Sequence, residues 1–396
     1  MDEPPMLGEL RPPNRTLMGP GPSDVHPDVI RAMSHPVVGH LDAAFLEIME
    51  EVQDLLRYTF RTENRFTIPV SGTGSAAMEA AITNFVEPND TVLLPTNGYF
   101  GERMREMTVR AGGEVVEVDA PWGEPLDLAD VDAALERHHP DVFGFVHGET
   151  STGVVQPDVE ELVSMAHDYD THVIVDTVAS LGGVEFNTDA WNVDVVYSGS
   201  QKCLSAPPGV SPLTVSEAAW ERLQTRDSPV CSWYLDLSLL DSYWGDERSY
   251  HHTAPISNVY SLREALRRVA EEGIETRWER HRDMAEALKA GVEAMGLEIH
   301  PHPEYWLPTL NAVEVPDGVN DAAVINRLMD KFNIEIASGL GDLSGEIFRI
   351  GCMGYSARVD NVLSVVDGLG RSLKAEGADV DVGAGVAAVS ESFATE

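Results

Sequence analysis

The sequence predicts an α/β protein with a mostly parallel sheet, followed by a smaller α+β domain. Short apolar runs alternate with helical patterns up to about residue 272, which is typical of a parallel sheet with helices on both faces. After Gly273 the pattern changes to one long charged helix and two short strands. The 396 residues, 43% of them hydrophobic, are enough to form two such domains.

The predicted strands of the large domain are apolar runs bounded by turn residues. They lie at residues 66–70, 91–94, 114–118, 142–147, 172–176 and 193–197. A helix is predicted soon after the first of them. Its apolar residues are Ala77, Met78, Ala81, Ile82 and Phe85. These residues recur at steps of three and four, so they form one apolar stripe that packs on the sheet.

The second domain is predicted from about residue 273. A long charged helix covers residues 274–295, and short strands are predicted near residues 311–315 and 346–351. From about Glu376 onwards the chain holds Gly, Ala, Ser and acidic residues without Lys or Arg. This composition predicts a solvated, disordered tail over residues 374–396.

The charge of the chain excludes some partners. Lys and Arg number 27 against 66 Asp and Glu, which gives a formal net charge of −39. Such a charge opposes phosphate backbones and anionic lipid, so no nucleic acid and no membrane partner is expected. Self-repulsion of this size is more tolerable where salt screens it. The sequence therefore predicts a salt-rich cytoplasm and a halophilic source, such as a halophilic archaeon.

Three further features predict a cytoplasmic location. Cys203, Cys231 and Cys352 have the spacing of neither a zinc site nor a redox pair, so no structural disulfide is expected. The first residues lack the basic and apolar regions of a signal peptide. No stretch approaches the roughly 18 unbroken apolar residues of a membrane span.

Lys202 and Asp176 form the most informative pair in the sequence. Lys202 ends Ser-Gly-Ser-Gln-Lys, directly after the strand at 193–197, and Asp176 ends the strand at 172–176. The carboxyl ends of parallel strands meet at one edge of a sheet, so an amine and a carboxylate are expected in one crevice. Pyridoxal phosphate needs such a pair, because a lysine binds it as a Schiff base and an acid keeps its pyridine nitrogen protonated. The alternative is an exposed lysine with an unrelated strand-end carboxylate.

The glycine-rich loop at residues 71–75 has two functional interpretations. Gly72 to Ala77 fits the G-x-G-x-x-A form of a dinucleotide-binding loop between a strand and a helix. The same small residues suit a single phosphate at a helix N-terminus. The strand at 91–94 runs into Pro95 rather than into the acid that would hold a ribose, which favours a single phosphate. A purely structural turn remains the alternative.

Two further strand-end loops supply candidate cofactor contacts. Phe100, next to Tyr99, follows Asn97-Gly98 and can stack on a flat ring, although loop aromatics usually pack on a core edge. Thr150 and the hydroxyl residues after it follow another apolar strand and can bond an oxygen of the cofactor, although such residues also cap helices.

Arg349 is a candidate for binding a substrate carboxylate. It lies in the apolar strand Phe-Arg-Ile-Gly of a chain that is short of cations, and a buried arginine is rarely left unpaired. Its planar guanidinium suits bidentate contact with a carboxylate. An internal salt bridge is the alternative.

No metal site is expected from the histidines. His138-His139 and His251-His252 are adjacent pairs, and adjacent side chains on a strand point to opposite faces, so neither pair forms a natural chelate. Cys203 lies next to Lys202, but the sequence shows no partner that would make it a nucleophile. Packing in the core is the commoner fate of a free cysteine.

The order of these parts resembles the class V aminotransferases. The matching parts are the Gly-Ser phosphate loop, an aromatic residue, Glu-Thr-Ser-Thr-Gly, Val-Asp-Thr-Val-Ala-Ser-Leu-Gly-Gly and Ser-Gly-Ser-Gln-Lys. Within this family the chain is similar to the alanine-glyoxylate, serine-glyoxylate and serine-pyruvate aminotransferases. The resemblance covers about residues 15–372, and its most specific segments are 175–183, 197–209 and 250–255.

This resemblance implies a fold-type I pyridoxal phosphate-dependent transferase that works as a homodimer with shared active sites. It implies a mostly parallel seven-stranded sheet flanked by helices in a large cofactor-binding domain at residues 15–272. An N-terminal arm (1–14) would precede this domain, and a small C-terminal α+β domain (273–373) would follow it.

The resemblance also implies roles for individual residues. Lys202 would bind the cofactor and carry a proton, Asp176 would pair with the pyridine nitrogen, and Arg349 would bind the α-carboxylate. Other cofactor contacts would be Thr73, Gly74, Ser75, Phe100, Thr150, Val178 and Gln201. Tyr250 and Thr253 would reach the phosphate of the neighbouring subunit's cofactor, and Gly21, His40 and Thr150 would line the substrate pocket. Phe100 replaces the tryptophan of the animal enzymes and Thr150 their serine.

The implied reaction is transamination between a small amino acid, alanine or serine, and a small 2-oxo acid, glyoxylate or pyruvate, in two half-reactions. An aspartate-using aminotransferase is one alternative, and a cysteine desulfurase or lyase of the same fold is another. A nicotinamide-dependent oxidoreductase is the least favoured, because it rests on the glycine-rich loop alone.

The charge leads to a prediction about salt. We expect the free energy of unfolding and the activity to increase from low to multimolar salt, because counterions screen the repulsion between carboxylates. Chemical denaturation and activity measured across a salt series check this. A protein equally stable and active without salt would contradict a halophilic origin.

Overall fold

The computed structural model describes residues 7–118 and 120–394. Residues 1–6 of the predicted N-terminal arm and the last two residues of the predicted tail lie outside this part. The rest of the arm, residues 7–14, has no regular secondary structure. Within the described ranges, no helix is long and apolar enough to cross a membrane.

The chain forms thirteen helices and fourteen strands within the described residues. The helices are α1 (Pro27–Ala32), α2 (Ala43–Phe60), α3 (Gly74–Phe85), α4 (Tyr99–Ala111), α5 (Leu128–His138), α6 (Val159–Asp168), α7 (Glu217–Gln224), α8 (Leu237–Trp244), α9 (Ile256–Glu272), α10 (Ile274–Ala294), α11 (Asp321–Arg327), α12 (Val359–Ala375) and α13 (Val382–Ser392). The strands are β1 (Thr16–Leu17), β2 (Phe66–Ser71), β3 (Thr91–Leu93), β4 (Glu114–Val116), β5 (Val142–Val146), β6 (Gly148–Glu149), β7 (Val154–Val155), β8 (His172–Asp176), β9 (Val195–Tyr197), β10 (Val210–Val215), β11 (Leu310–Glu314), β12 (Ile334–Glu335), β13 (Ala337–Ser338) and β14 (Ile347–Gly351).

The predicted mostly parallel seven-stranded sheet is confirmed. Its strand order is β2-β10-β9-β8-β5-β3-β4, and only β10 runs antiparallel to its neighbours. Six of these strands coincide with predicted runs, and β10 is the one that the sequence did not reveal. Pro212 lies within β10, where a proline normally argues against a central strand. It is paired with Pro69 of β2, so two residues without an N–H group face each other.

This topology brings four loops to one edge of the sheet. Strands β5, β8 and β9 are parallel, and β2 has the same direction because both β2 and β9 are antiparallel to β10. The chain leaves their carboxyl ends at residues 71–75, 147–151, 176–178 and 198–202. In α/β sheets this edge is where ligands bind.

Most of the buried apolar residues form two cores, and a small third cluster contains Cys203 and Leu307. The larger one lies between the seven-stranded sheet and its helices and extends from Val29 to Trp278. The second lies between α10, α12 and the three-stranded antiparallel sheet β11-β14-β13. The long helix and both short strands predicted for the second domain agree with α10, β11 and β14.

The N-terminal segment packs in the second core, whereas the sequence placed residue 15 onwards in the large domain. Strand β1 pairs in parallel with β12, and fully buried Met18 belongs to the second core. A two-residue strand carries no periodicity of its own, so its partner is decided by tertiary packing. The chain therefore crosses from one core to the other between Met18 and Val29.

The prediction of a disordered tail is wrong for residues 382–392, which form α13. Asp381 caps this helix by accepting a hydrogen bond from the Ala384 amide at 3.0 Å. Val389 is fully buried against α10. A Cβ on Gly291 of α10 would lie 2.6 Å from the Val389 side chain, so the glycine allows close helix packing. A composition of Gly, Ala and Ser hid this apolar face.

Val389→Ala tests the packing of α13. Removing two buried carbon atoms should lower the free energy of unfolding by about 1.5–3 kcal/mol, measured by denaturant titration. The matched control is Ser390→Ala on the exposed side of the same helix, which should change it by less than about 0.5 kcal/mol. Equal stability of both variants would show that α13 does not pack.

Candidate active site

A cavity of about 300 Å³ lies between the carboxyl edge of the large sheet, the N-terminal segment and the second domain. Most of the residues predicted for the site line it: Gly21, Thr73, Gly74, Ser75, Phe100, Thr150, Asp176, Val178, Gln201, Lys202 and Arg349. Pro20, next to the predicted Gly21, also lines the cavity, and the unpredicted Met78, Arg103 and Leu340 complete the lining.

Lys202 is buried in this cavity, with 7% of the residue exposed. The turn after β9 carries it, and its amine donates a hydrogen bond to the backbone carbonyl of Pro20. Burial disfavours the charged form and lowers the pKa of Lys202 to about 8, although Cys203 and Asp176 act to raise it. A lysine with this pKa is neutral far more often at physiological pH than an exposed one, and only the neutral amine is a nucleophile.

Gly21 determines where the lysine side chain lies. Its φ of +108° is in a region that other residues rarely adopt. A Cβ at this position would come within 2.5 Å of the Lys202 Cδ atom. The N-terminal segment therefore approaches the lysine as closely as its backbone permits.

Asp176 ends β8 on the floor of the cavity and is 2% exposed. Its carboxylate accepts hydrogen bonds from the Val178 amide at 2.7 Å and from the Tyr197 hydroxyl at 2.9 Å. Burial raises the pKa of Asp176 to about 6, while these two hydrogen bonds act to lower it. Tyr197 was not predicted as a site residue, because its position inside β9 is that of an ordinary core aromatic.

The glycine-rich loop leads into the N-terminus of α3. Thr73 is the N-cap, but its side chain makes no capping bond. The amides of Gly74 and Ser75 therefore lie in the first turn, where backbone N–H groups have no helical partner. A Cβ on Gly74 would lie 3.3 Å from Val178, so glycine keeps this space open. Such a cradle suits a phosphate group, which the helix dipole also favours.

Gln201 adds unused hydrogen-bonding capacity beside this loop. Its side-chain carbonyl oxygen is buried and has no partner among the described residues. A buried polar group without a partner is uncommon in a folded protein. The side chain is thus available to a group bound in the cavity.

Glu149 holds the loop that leads into Phe100 in place. It was not predicted as a site residue from the sequence. It is 1% exposed and accepts hydrogen bonds from the Phe100 amide at 2.9 Å and from the amide and hydroxyl of Ser151 at 2.9 and 2.7 Å. A Cβ on Gly98 would come within 2.3 Å of the Glu149 side chain. Burial raises the pKa of Glu149, against these hydrogen bonds.

Arg103 was also not predicted, and it lies one helical turn after Phe100. Its guanidinium lies 4.8 Å from the centre of the Phe100 ring and donates a hydrogen bond to the Ser75 hydroxyl at 3.1 Å. The Lys202 amine lies 5.8 Å from the same ring centre. The spacing of three residues on a helix is the signal that could have identified Arg103.

Arg349 enters the cavity from β14 of the second domain. Its guanidinium donates hydrogen bonds to the backbone carbonyls of Ser338 at 2.7 Å and Thr150 at 3.3 Å. Among the described residues it has no carboxylate within 4 Å, so the internal salt bridge that the sequence left open is absent there. Burial lowers the pKa of Arg349 to about 10, and Glu149 acts in the opposite direction. This cation is available to a bound carboxylate.

Three predicted residues lie outside the cavity. Tyr250 is 62% exposed, and its ring lies 5.2 Å from that of His40. Thr253 is also exposed. The single chain does not bring these side chains to Lys202.

The expectation that His251 and His252 point to opposite faces of a strand is wrong. His251 and His252 lie in a bend rather than a strand, and their Nδ1 atoms are 2.9 Å apart. His252 also contacts the Ser71 hydroxyl at 2.7 Å. Nevertheless, no group of three or more His, Cys, Asp or Glu side chains is placed to hold a metal ion within residues 7–118 and 120–394.

The cysteines offer no activated thiol at the cavity. Cys203 and Cys352 are buried, and burial raises the pKa of these thiols to about 11 and about 12. A thiol with such a pKa is protonated and unreactive at neutral pH. Cys231 is exposed and is not part of the cavity lining.

A buried lysine, a strand-end carboxylate and a phosphate cradle on this sheet define a fold-type I pyridoxal phosphate-dependent transferase. The family model of the class V aminotransferases matches residues 17–349, and the chain belongs to this family. Its cofactor is pyridoxal phosphate, and the resemblance seen in the sequence is confirmed.

Three relatives show how closely the whole chain follows this family. The alanine-glyoxylate aminotransferase of Drosophila melanogaster is 42% identical over 377 residues, which are 93% of this chain and 96% of that protein. The structure of an alanine-glyoxylate aminotransferase from Nostoc sp. is 50% identical with a TM-score of 0.92, covering 93% of this chain and 97% of that one. The structure of ureidoglycine-glyoxylate aminotransferase from Bacillus subtilis is 41% identical with a TM-score of 0.96, covering 98% and 100%.

The lowered pKa of Lys202 leads to a prediction about pH. With a pKa of about 8, roughly one tenth of the amine is neutral at pH 7, and this fraction grows about tenfold per pH unit below the pKa. The rate at which the cofactor-free protein binds pyridoxal phosphate covalently should therefore rise from pH 6 to 8 and then level off. Stopped-flow absorbance measures this rate, and Lys202→Ala is the control without covalent binding. A rate that rises steadily up to pH 10 would contradict the lowered pKa.

Proposed function

We propose that this protein transfers the amino group of a small amino acid, alanine or serine, to a small 2-oxo acid, glyoxylate or pyruvate. The transfer takes place in two half-reactions that share one site. The observation that carries the proposal is that Lys202, Asp176 and Arg349 line one cavity of about 300 Å³. This space must hold the cofactor and the substrate together, which favours small substrates.

The cavity wall beside Arg349 favours an amino acid with an uncharged side chain as the amino donor. Besides Arg349, the N-terminal segment and the second domain contribute Pro20, Gly21 and Leu340 to the lining, and none of them carries a side-chain charge. A second carboxylate, as in aspartate, finds no cation on this wall. The names of the three relatives share glyoxylate as a substrate, which supports glyoxylate as the acceptor.

Lys202 and Asp176 carry the chemistry in this proposal. When bound, pyridoxal phosphate supplies an electron sink that stabilises negative charge at the α-carbon of the substrate. Lys202 holds the cofactor and, once released by the substrate, moves a proton at that α-carbon, for which a lowered pKa is required. Asp176 would pair with the ring nitrogen and keep a proton on it, helped by the hydrogen bonds from Val178 and Tyr197 that favour the charged form of Asp176.

The remaining residues orient the two ligands. The amides of Gly74 and Ser75, with Thr73 and Gln201, bind the phosphate. Phe100 and Val178 would contact the ring of the bound cofactor, and the Thr150 hydroxyl would donate a hydrogen bond to one of its oxygens. Arg349 binds the α-carboxylate, which places the α-carbon close to Lys202.

We also propose a homodimer with shared active sites. An aromatic patch supports it: Trp233, Tyr234 and Tyr250 are 64%, 43% and 62% exposed. Large exposed aromatic groups in a cluster mark interaction sites. A second subunit seated on this patch would bring Tyr250 and Thr253, and His40 beside them, towards the partner's cofactor.

The setting proposed for this enzyme is the salt-rich cytoplasm of a halophile. The net charge of −39 supports a salt-rich medium. The three cysteines are free, and this agrees with a reducing compartment.

A donor and acceptor panel tests the substrate proposal. The holoenzyme should convert alanine and serine with glyoxylate at a kcat/KM at least tenfold above that for aspartate, because the second carboxylate of aspartate finds no further cation on the wall beside Arg349. (S)-Ureidoglycine belongs in the same panel, since it is the donor named for one relative. Preference for aspartate would overturn the proposed donor class.

Arg349→Ala separates binding from chemistry in the same assay. Loss of a charged hydrogen-bonding partner should raise the KM for alanine by about tenfold or more. Arg371→Ala on the exposed side of α12 is the control and should leave the KM unchanged. An unchanged KM for Arg349→Ala would remove this residue from the substrate site.

A further inference from the structure

A second cavity of about 410 Å³ lies behind the turn that carries Lys202. Helices α1, α9 and α10 form one side of it, and residues 354–358 of the second domain form the other. Its lining includes four arginines and one histidine: Arg268, Arg277, Arg280, Arg358 and His26. Only Glu271 and Glu272 carry negative charge there.

This wall is basic in a protein that is strongly acidic elsewhere. The carboxylate of Glu272 is shared by two guanidinium groups, those of Arg277 at 2.6 Å and Arg280 at 2.5 Å. At this point one negative charge balances two positive ones. Asp28 and Asp360, outside the lining, lie 3.7 and 3.5 Å from Arg268 and Arg358 and offset part of the remaining positive charge. The lining itself has more positive than negative side chains, which attracts anions, and its partly buried walls weaken the screening by salt.

Two arginines on opposite sides of the cavity have unused donors. The Arg268 guanidinium, on α9, makes no hydrogen bond to the described residues, and its nearest carboxylate oxygens lie at 3.5 and 3.7 Å. Arg358, at the start of α12, has a buried Nε–H without a hydrogen-bond partner in the described part of the chain. Its nearest carboxylate, that of Asp360, is 3.5 Å away. A buried donor such as the Arg358 Nε–H is normally satisfied, so a bound acceptor is its natural partner. Arg268, whose side chain is 40% exposed, offers further donors to the same acceptor.

Apart from Ser205, the rest of the lining is largely apolar. The Tyr355 ring lies 4.3 Å from the Arg358 guanidinium and 4.8 Å from the His26 ring. Val29, Leu204 and Ala265 add aliphatic surface. We propose that this cavity binds a small organic anion, a carboxylate or a phosphate ester, whose charged group bridges Arg268 and Arg358 while its apolar part packs on Tyr355.

Hydrogen bonds connect this cavity to the lysine. The Tyr355 amide donates to the Ser205 hydroxyl at 2.7 Å, and this hydroxyl contacts the Ser23 hydroxyl at 2.9 Å. Ser23 in turn donates to the Lys202 carbonyl at 2.7 Å. A ligand that holds Tyr355 and both sides of the cavity therefore stabilises the turn on which Lys202 lies.

Calorimetric titration of the holoenzyme tests the proposal. Inorganic phosphate, phenyl phosphate and phenylacetate serve as probes at constant ionic strength, and the bound cofactor already fills the phosphate cradle of the active site. At least one probe should bind with one site per chain, and the phenyl group should tighten phosphate binding if the apolar wall contributes. Comparing phenyl phosphate with phenylacetate distinguishes the two kinds of anion.

Three variants locate the binding. Arg268→Gln and Arg358→Gln should each weaken binding about tenfold or more, because each removes a charged hydrogen-bond donor. Arg371→Gln removes an equal charge from an exposed part of α12 and should bind like the wild type. Arg268 is partly exposed, so its variant keeps the test valid if Arg358→Gln fails to fold. The absence of saturable binding, or binding unchanged in both cavity variants, would overturn the proposal.

Discussion

The buried amine of Lys202 is the constraint on which the rest of the site depends. An amine enclosed by protein is favoured in its neutral form, which is the form that reacts, yet it must lie close to a carboxylate and to an arginine. The protein meets this requirement by placing Lys202 on a buried turn after β9, with Arg349 facing it from β14. Gly21 and Pro20 close the cavity over it from the N-terminal segment. No single strand or loop could impose this environment.

Four buried ionisable groups around the cavity balance one another. Glu149 and Asp176 are acids on the sheet, while Lys202 and Arg349 are bases that face them from the turn and from the second domain. Burial moves the pKa of each group towards its neutral form, and the neighbouring opposite charges oppose that shift. A substrate carboxylate would add one negative charge beside Arg349. The site is therefore set up to receive an anion and a neutral amine together.

The sequence was sufficient to locate candidate site residues where a polar side chain directly follows an apolar strand pattern. Strand-end residues such as Asp176 and Lys202 could be predicted because parallel strands deliver them to one edge. Strand β10 was hidden by its proline, and helix α13 by a composition poor in large apolar residues. Glu149 could not be recognised because its role comes from a contact with Phe100 across loops, which no local pattern encodes. For Arg103 the helical spacing from Phe100 was the only local signal, and its contact with Ser75 is decided by the fold. Tertiary packing decided each of these cases.

The pairing of β1 with β12 also determines when the cofactor cavity can close as the chain is synthesised. Thr16 is synthesised before its partner Ile334, which follows more than three hundred residues later in the chain. Until then Pro20 and Gly21 have no second-domain strand to hold them over Lys202. The seven-stranded sheet can assemble earlier, since domains generally fold as units during synthesis. Closure of the cofactor cavity is therefore a late event, and an incomplete nascent chain leaves its lysine uncovered.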